Sequence, residues 1–187
     1  GVYRGRRISG ALLFITLLEG NCDIEDKPPQ ELPAETVPAS SLIPLTKKEV
    51  ESFVKAYDFE PLLAAAEVDK SILIKLKRLL YSADNLLRFR AAEATGKVSA
   101  VIARRDQSSV SRFLQGLFSS VTDTAASSWG ALDAIGEIIS HEPELFSQYI
   151  PRLSLLTRER SLLSEILRAM VRIGQIRPDL LGKASCL

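Results

Sequence analysis

The side chains able to do chemistry in this 187-residue chain are few and scattered. The one histidine, His141, sits at the end of a helical pattern, two residues before Pro143. A histidine can serve as a general base. No serine or cysteine nucleophile with an orienting carboxylate can be assigned to this one, and the negative end of a helix dipole suffices to explain it. Cys22 and Cys186 are far apart and form no C-x-x-C pair, so they suit neither a zinc site nor a disulfide framework. They read as free thiols in a reducing compartment. No Gly-x-x-x-x-Gly-Lys-[Ser/Thr] loop is present, and the glycines do not follow strands as a dinucleotide fingerprint requires. What remains is Trp129, the one tryptophan, a helical turn before Asp133. The expectation is a protein that is not an enzyme, with no catalytic residue, no cofactor and no metal.

The elements that must position Trp129 recur. Glycines stand at Gly96, Gly136 and Gly174, spaced by 40 and 38 residues. Each has a branched apolar residue two positions on (Val98, Ile138, Ile176) and an alanine five back (Ala91, Ala131, Ala169). Seven back stand Phe89, Trp129 and Leu167. Three copies about 40 residues apart are the signature of stacked helical hairpins. Small residues on an apolar face let neighbouring backbones approach. The glycines, near the expected helix ends, can also take the left-handed conformation that closes a helix. Trp129 has two readings. Flanked by glycine on a groove it would be a binding anchor, whereas the offset it shares with Phe89 and Leu167 favours a core position between hairpins.

Asp84-x-x-x-Arg88-x-x-Ala91-Ala92-x-Ala94-x-Gly96-x-Val98 resembles the HEAT-like repeat of the type named for phycobilisome lyases. The match is partial in the later copies, where Ser128 and Ile166 replace the arginine. Ser128-Trp129-Gly130-Ala131 through Ile138, Pro143-Glu-Leu145, and Arg172-Ile-Gly174 through Leu181 resemble a group of uncharacterised bacterial HEAT-repeat proteins. The resemblance covers roughly residues 45–187. It implies an all-α fold, a right-handed α-α superhelix of stacked hairpins, and no known chemistry.

Composition sets the outer bounds. Hydrophobic residues make up 46% and charged residues 25%, as in a globular protein, and the formal net charge is +1. Residues 1–68 hold seven basic and eleven acidic side chains, and residues 69–187 seventeen and twelve. That asymmetry is too mild to commit the molecule to nucleic acid or an anionic membrane. Residues 1–44 read as a leader rather than a domain. Arg4, Arg6 and Arg7 precede the apolar run Ile8 to Leu18, which has the outline of a secretory signal but no small-x-small cleavage site and too little length to span a bilayer. A signal or anchor over residues 1–22 is the lesser reading and a cytoplasmic protein the greater. From Asp23 to Pro44 five prolines and five acidic residues make an extended or disordered linker. The repeat domain then spans 45–187, truncated or incompletely capped at its C-terminal end.

Within that domain Thr46-Lys-Lys-Glu49 is a capping box opening a first helix. Asp58 and Asp69 open the next two. In the third, Ile72, Leu73, Leu76, Leu79 and Leu80 fall on one arc and Lys70, Lys75, Lys77 and Arg78 opposite. Asp84 opens the helix to Arg104 and stands one turn from Arg88, with which it can pair. Arg104 and Arg105 meet the end of their own helix dipole. Asp106 caps a helix with the stripe Val110, Phe113, Leu114, Leu117, Phe118. A helix from Asp123 or Thr124 carries Trp129 and Gly136 to His141. Pro143 and Pro151 begin two short helices, and a last long helix runs from about Glu159 to Ile176.

Two functions fit such a fold. One is an interaction or scaffold module that takes a protein or peptide on its concave face, with Arg88, Arg90 and Trp129 as partner-binding residues. The other is a nucleic-acid-binding protein, because HEAT-like repeats also build DNA-alkylation-repair glycosylases, which need a basic groove and an acidic residue among aromatics. The modest charge and 6% aromatics favour the first. Chromophore attachment is suggested only by the repeat's family name and ranks last.

Overall fold

The computed structural model describes residues 44–123 and 128–184. The apolar run, the proline-rich linker up to residue 43 and both cysteines lie outside them. Among the described residues the chain is helical, with no strand. Its helices are α1 (Lys47–Ala56), α2 (Glu60–Ala66), α3 (Ile72–Leu79), α4 (Asn85–Asp123), α5 (Ala131–His141), α6 (Pro143–Phe146), α7 (Ile150–Leu155), α8 (Leu163–Ile176) and α9 (Pro178–Ala184). None is long and apolar enough to cross a membrane.

Local chemistry sets most boundaries. The Thr46 hydroxyl accepts the Glu49 amide at 3.3 Å while the Glu49 carboxylate accepts the Thr46 amide at 2.7 Å, the expected capping box of α1. Asp84 caps α4 by accepting the amides of Leu86 and Leu87 at 2.9 and 3.3 Å. Asp106 leaves helical geometry (φ −145°, ψ 72°) and splits α4 into two segments, accepting the Ser109 amide at 3.0 Å to start the second. Other boundaries shift. Phe59, not Asp58, precedes α2, and Asp69 accepts the Ser71 amide in a turn before α3 rather than opening it. Short 3-10 turns delay α8 until Leu163. Arg105 does not meet its own helix end. It donates to the carbonyls of Ala66 (2.7 Å) and Glu67, so the cation serves the C-terminal end of α2.

The core runs along one side of every long helix. The arc Ile72, Leu73, Leu76, Leu79, Leu80 is buried, as are Val110, Leu114, Leu117 and Phe118 on the second segment of α4. Helix α5 is central: it packs on α4 on one side and α8 on the other, and Leu132, Ile135, Ile138 and Ile139 are fully buried. Helices α1, α2 and α3 pack on α4, and α9 on α8.

The repeat glycines do something other than close helices. Gly96 and Gly136 lie inside α4 and α5, and Gly174 is still within α8. A Cβ on Gly96 would sit 2.7 Å from the Glu137 Cβ and 2.9 Å from its carbonyl carbon and oxygen, and a Cβ on Gly136 would sit 2.8 Å from the Ala169 Cα. Each glycine is thus the point where one helix backbone touches the next. Gly174 meets only the Leu181 side chain, at 2.7 Å.

Trp129 also departs from expectation. It is not carried on a helix but precedes α5 in a turn, with φ 50°. The Gly130 amide donates to the Leu80 carbonyl at 2.9 Å, which docks this turn on the end of α3. The indole is 43% exposed, and Phe89 and Leu167 at the same offset are 47% and 50% exposed. The shared offset is real, but it marks an open face rather than the core. Periodicity gives a residue's angle around its own helix, not how far along that helix a neighbour extends.

Candidate functional site

Phe89, one of the three exposed repeat positions, lines a pocket of about 450 Å³ bordered by α1, α4, α5 and α8. The buried residues Ala92 and Ala169 line it, and their small side chains leave it room; Leu86, Phe89 and Tyr57 are its apolar members. Its charged groups are Arg90 and Glu93 of α4, Asp133 and Glu137 of α5, and Arg168 and Arg172 of α8.

Those charges are ordered in register. Arg168 grips Asp133 through Nε and Nη2, both at 3.1 Å, and Arg172 Nε meets Glu137 at 3.0 Å, each pair 35 residues apart. Arg177, just past the end of α8, meets Glu144, 33 residues back and outside that register. Glu93 accepts the Tyr57 hydroxyl at 2.7 Å and the Lys97 ammonium at 2.9 Å. Burial pushes the Asp133 carboxyl up from its ordinary value even though the two Arg168 bonds pull it down. The same bonds raise Arg168. The carboxylate is the buried partner and the guanidinium the exposed one, so desolvation falls mainly on the acid.

Three aromatic rings on this face each have a guanidinium over them. Arg90 lies 5.5 Å from the Tyr57 ring, Arg168 5.4 Å from Phe89, and Arg88 5.3 Å from Trp129. Two of these aromatics, Tyr57 (φ 59°) and Trp129 (φ 50°), are the non-glycine residues with left-handed backbone among the described residues. That conformation costs a non-glycine residue about 1–2 kcal/mol.

Of the residues singled out in the sequence, Arg88 and Trp129 are brought together and Arg90 stands apart on Tyr57. Arg90 lines the pocket, whereas Arg88 and Trp129 are outside its lining. Arg88 does not pair with Asp84. It donates to the Ser82 and Ala83 carbonyls (2.6 and 3.3 Å) and to Asn85, stapling the turn before α4. The sequence pattern marks none of Tyr57, Leu86, Arg168 and Arg172 as site residues, and the offset that Phe89 shares with Trp129 and Leu167 favours a core position for it. Their available signal was the pairing of Asp133 and Glu137 with Arg168 and Arg172, the same four-residue step on two helices.

His141 lies outside the pocket lining. Its Nδ1 donates to the Glu137 carbonyl at 2.8 Å, a bond within its own helix. Among the described residues no cluster of histidine, cysteine or carboxylate side chains could hold a metal ion. No protein-family model, curated protein or solved structure matches this chain.

Proposed function

We propose that this protein is a non-catalytic interaction module, a HEAT-like α-solenoid that docks a protein or peptide on the face lined by Tyr57, Phe89, Arg90 and Arg168. Trp129 and Arg88 form the adjoining edge. Two facts support stacked hairpins. The glycine contacts join α4 to α5 and α5 to α8 in sequence order, and the cross-helix pairs keep nearly constant separations: 35 and 36 residues for Lys55–Arg90 and Tyr57–Glu93, and 35 for both pairs between α5 and α8. Helices paired in increasing order on both sides run in the same direction, as the equivalent helices of successive repeats do.

The observation that carries the functional reading is the set of exposed aromatics: Tyr57, Phe89 and Trp129 are 52%, 47% and 43% exposed, each with a guanidinium over its ring, and aromatic and arginine side chains are the usual anchors of a docking surface. The glycosylase-like reading has Asp133 one turn from Trp129, but both Asp133 oxygens are engaged by Arg168. The site of action proposed here is the cytoplasm.

The test is affinity capture with the full chain, in nuclease-treated and untreated extract, beside the double variant Leu86→Asp/Phe89→Asp. Both side chains are about half exposed, so the variant keeps its fold. A protein captured in both arms by the wild type and lost from the variant is the expected result. Capture that disappears with nuclease overturns it in favour of nucleic acid.

A further inference from the structure

We propose that the α8 side of this face docks an acidic amphipathic peptide segment, with carboxylates on Arg168 and Arg172 and apolar side chains on Leu167, Val171 and in the pocket. The proposal rests on the protein-docking reading above and gives the partner its chemistry.

The charge inventory of the face is balanced, but the charge it presents is not. The Asp133 and Glu137 side chains are 12% and 17% exposed, whereas Arg168 and Arg172 are 46% and 36% exposed. The carboxylates lie beneath and the guanidiniums above, so an arriving partner meets cations. Donors remain for it: among the described residues Arg172 bonds Glu137 through Nε, and a guanidinium has five N–H groups in a planar fork that suits carboxylates.

The flanks decide the shape. Arg168 and Arg172 form a ridge between the 450 Å³ pocket and a second hollow of about 430 Å³ that includes Leu167 and Val171, which are 50% and 58% exposed. Two arginines one turn apart on α8 are matched by two carboxylates one turn apart on a partner helix, because both repeat at the same spacing. An apolar residue on either side of that acidic pair would reach a hollow.

Nucleic acid fits less well. Single strands bind by laying bases on open aromatic faces, and here guanidiniums lie over the rings of Tyr57, Phe89 and Trp129.

The experiment uses the full chain to select from random 16-residue peptides displayed on phage, then measures the best sequences as fluorescent synthetic peptides. The expected peptides carry two acidic residues three or four positions apart beside a large apolar one. Their affinity should fall at least about tenfold in Arg172→Gln. A similar fall is expected in the double variant Asp133→Asn/Arg168→Gln, which leaves no buried charge without its partner. Selected peptides that lack acidic residues, or that bind these variants unchanged, overturn the proposal; if Leu86→Asp/Phe89→Asp still abolishes their binding, the docking face survives without it. Selection of no peptide, with tight binding of a 20-nucleotide oligothymidylate, overturns both. A dimer in light scattering that Arg172→Gln dissociates would make a second copy the occupant and likewise overturn the acidic-peptide assignment.

Discussion

Replacing Gly96 by alanine should destabilise the protein, although alanine is the better helix former. In an open helix the exchange gains about 0.8–1.0 kcal/mol. At Gly96 the new Cβ would lie 2.7 Å from the Glu137 Cβ and 2.9 Å from its backbone carbonyl. Carbon atoms prefer separations of about 3.5–4.0 Å, so α4 and α5 would have to part by roughly 0.8 Å or more. The obstacle is backbone, not the movable end of a side chain, and overpacking of that kind costs about 1–3 kcal/mol. The steric term therefore equals or exceeds the propensity gain. Gly116, on the second segment of α4, is the internal control: a Cβ there meets only the Lys77 ammonium at 4.0 Å. Gly116→Ala should be stabilising by about 0.5–1 kcal/mol. The two variants should thus differ by about 2 kcal/mol, or about 4–8 °C in Tm for a chain of this size. Thermal unfolding followed by circular dichroism at 222 nm would read the difference. Equal stabilisation by both substitutions would show that the α4–α5 backbone contact does not exist, and the glycine repeat would lose its packing explanation.

Two further outcomes are expected. Trp129→Gly should cost about 1–2 kcal/mol, because relief of the left-handed backbone, about 1–2 kcal/mol, offsets only part of the lost burial of the covered half of the indole, about 2–3 kcal/mol, and of the Arg88–indole contact, about 0.5–1 kcal/mol. A loss of about 3 kcal/mol or more in urea unfolding would be the cost of a core tryptophan and would return Trp129 to the interior. Asp106 is the group to follow with pH. The Ser109 hydroxyl, the Lys70 ammonium, and the Ser108 hydroxyl hold its carboxyl well below the ordinary value, and the Ser109 amide adds to them. A depressed folded value means that its stabilisation is full above the unfolded value of about 3.9 and is lost as the pH falls below it. Asp106→Asn should be less stable than wild type at pH 7, with the gap narrowing between about pH 4 and pH 2. Urea midpoints that stay parallel over that range would show that Asp106 holds no such network.

How much of this was legible in the sequence depends on how local the signal was. The capping box at Thr46, the caps at Asp84 and Asp106, the proline start of α6 and the buried arc of α3 all depend on residues within one or two turns of each other, and each stands where the residues predicted. The repeat glycines were legible as contacts but misread as helix ends, because a glycine admits both uses and only a neighbour's position separates them. The candidate face was legible in part. Arg90 stands on it, while the shared offset favours a core position for Phe89 and no local pattern marks Arg168 or Arg172. The right angle around a helix is fixed by the sequence. Exposure is fixed by where the next helix ends.

The sequence by itself determined the helical class, the period of about 40 residues and the small-residue seams, since these follow from propensity, capping and spacing along one chain. Only the tertiary structure decided that α5 packs between α4 and α8, that carboxylates lie under arginines across those helices, and that three aromatics remain in solvent with guanidiniums over them. The physical reason is range. Capping and periodicity act within a turn or two, whereas burial and charge pairing act between residues 35 or more positions apart, at distances set by backbones meeting at Gly96 and Gly136.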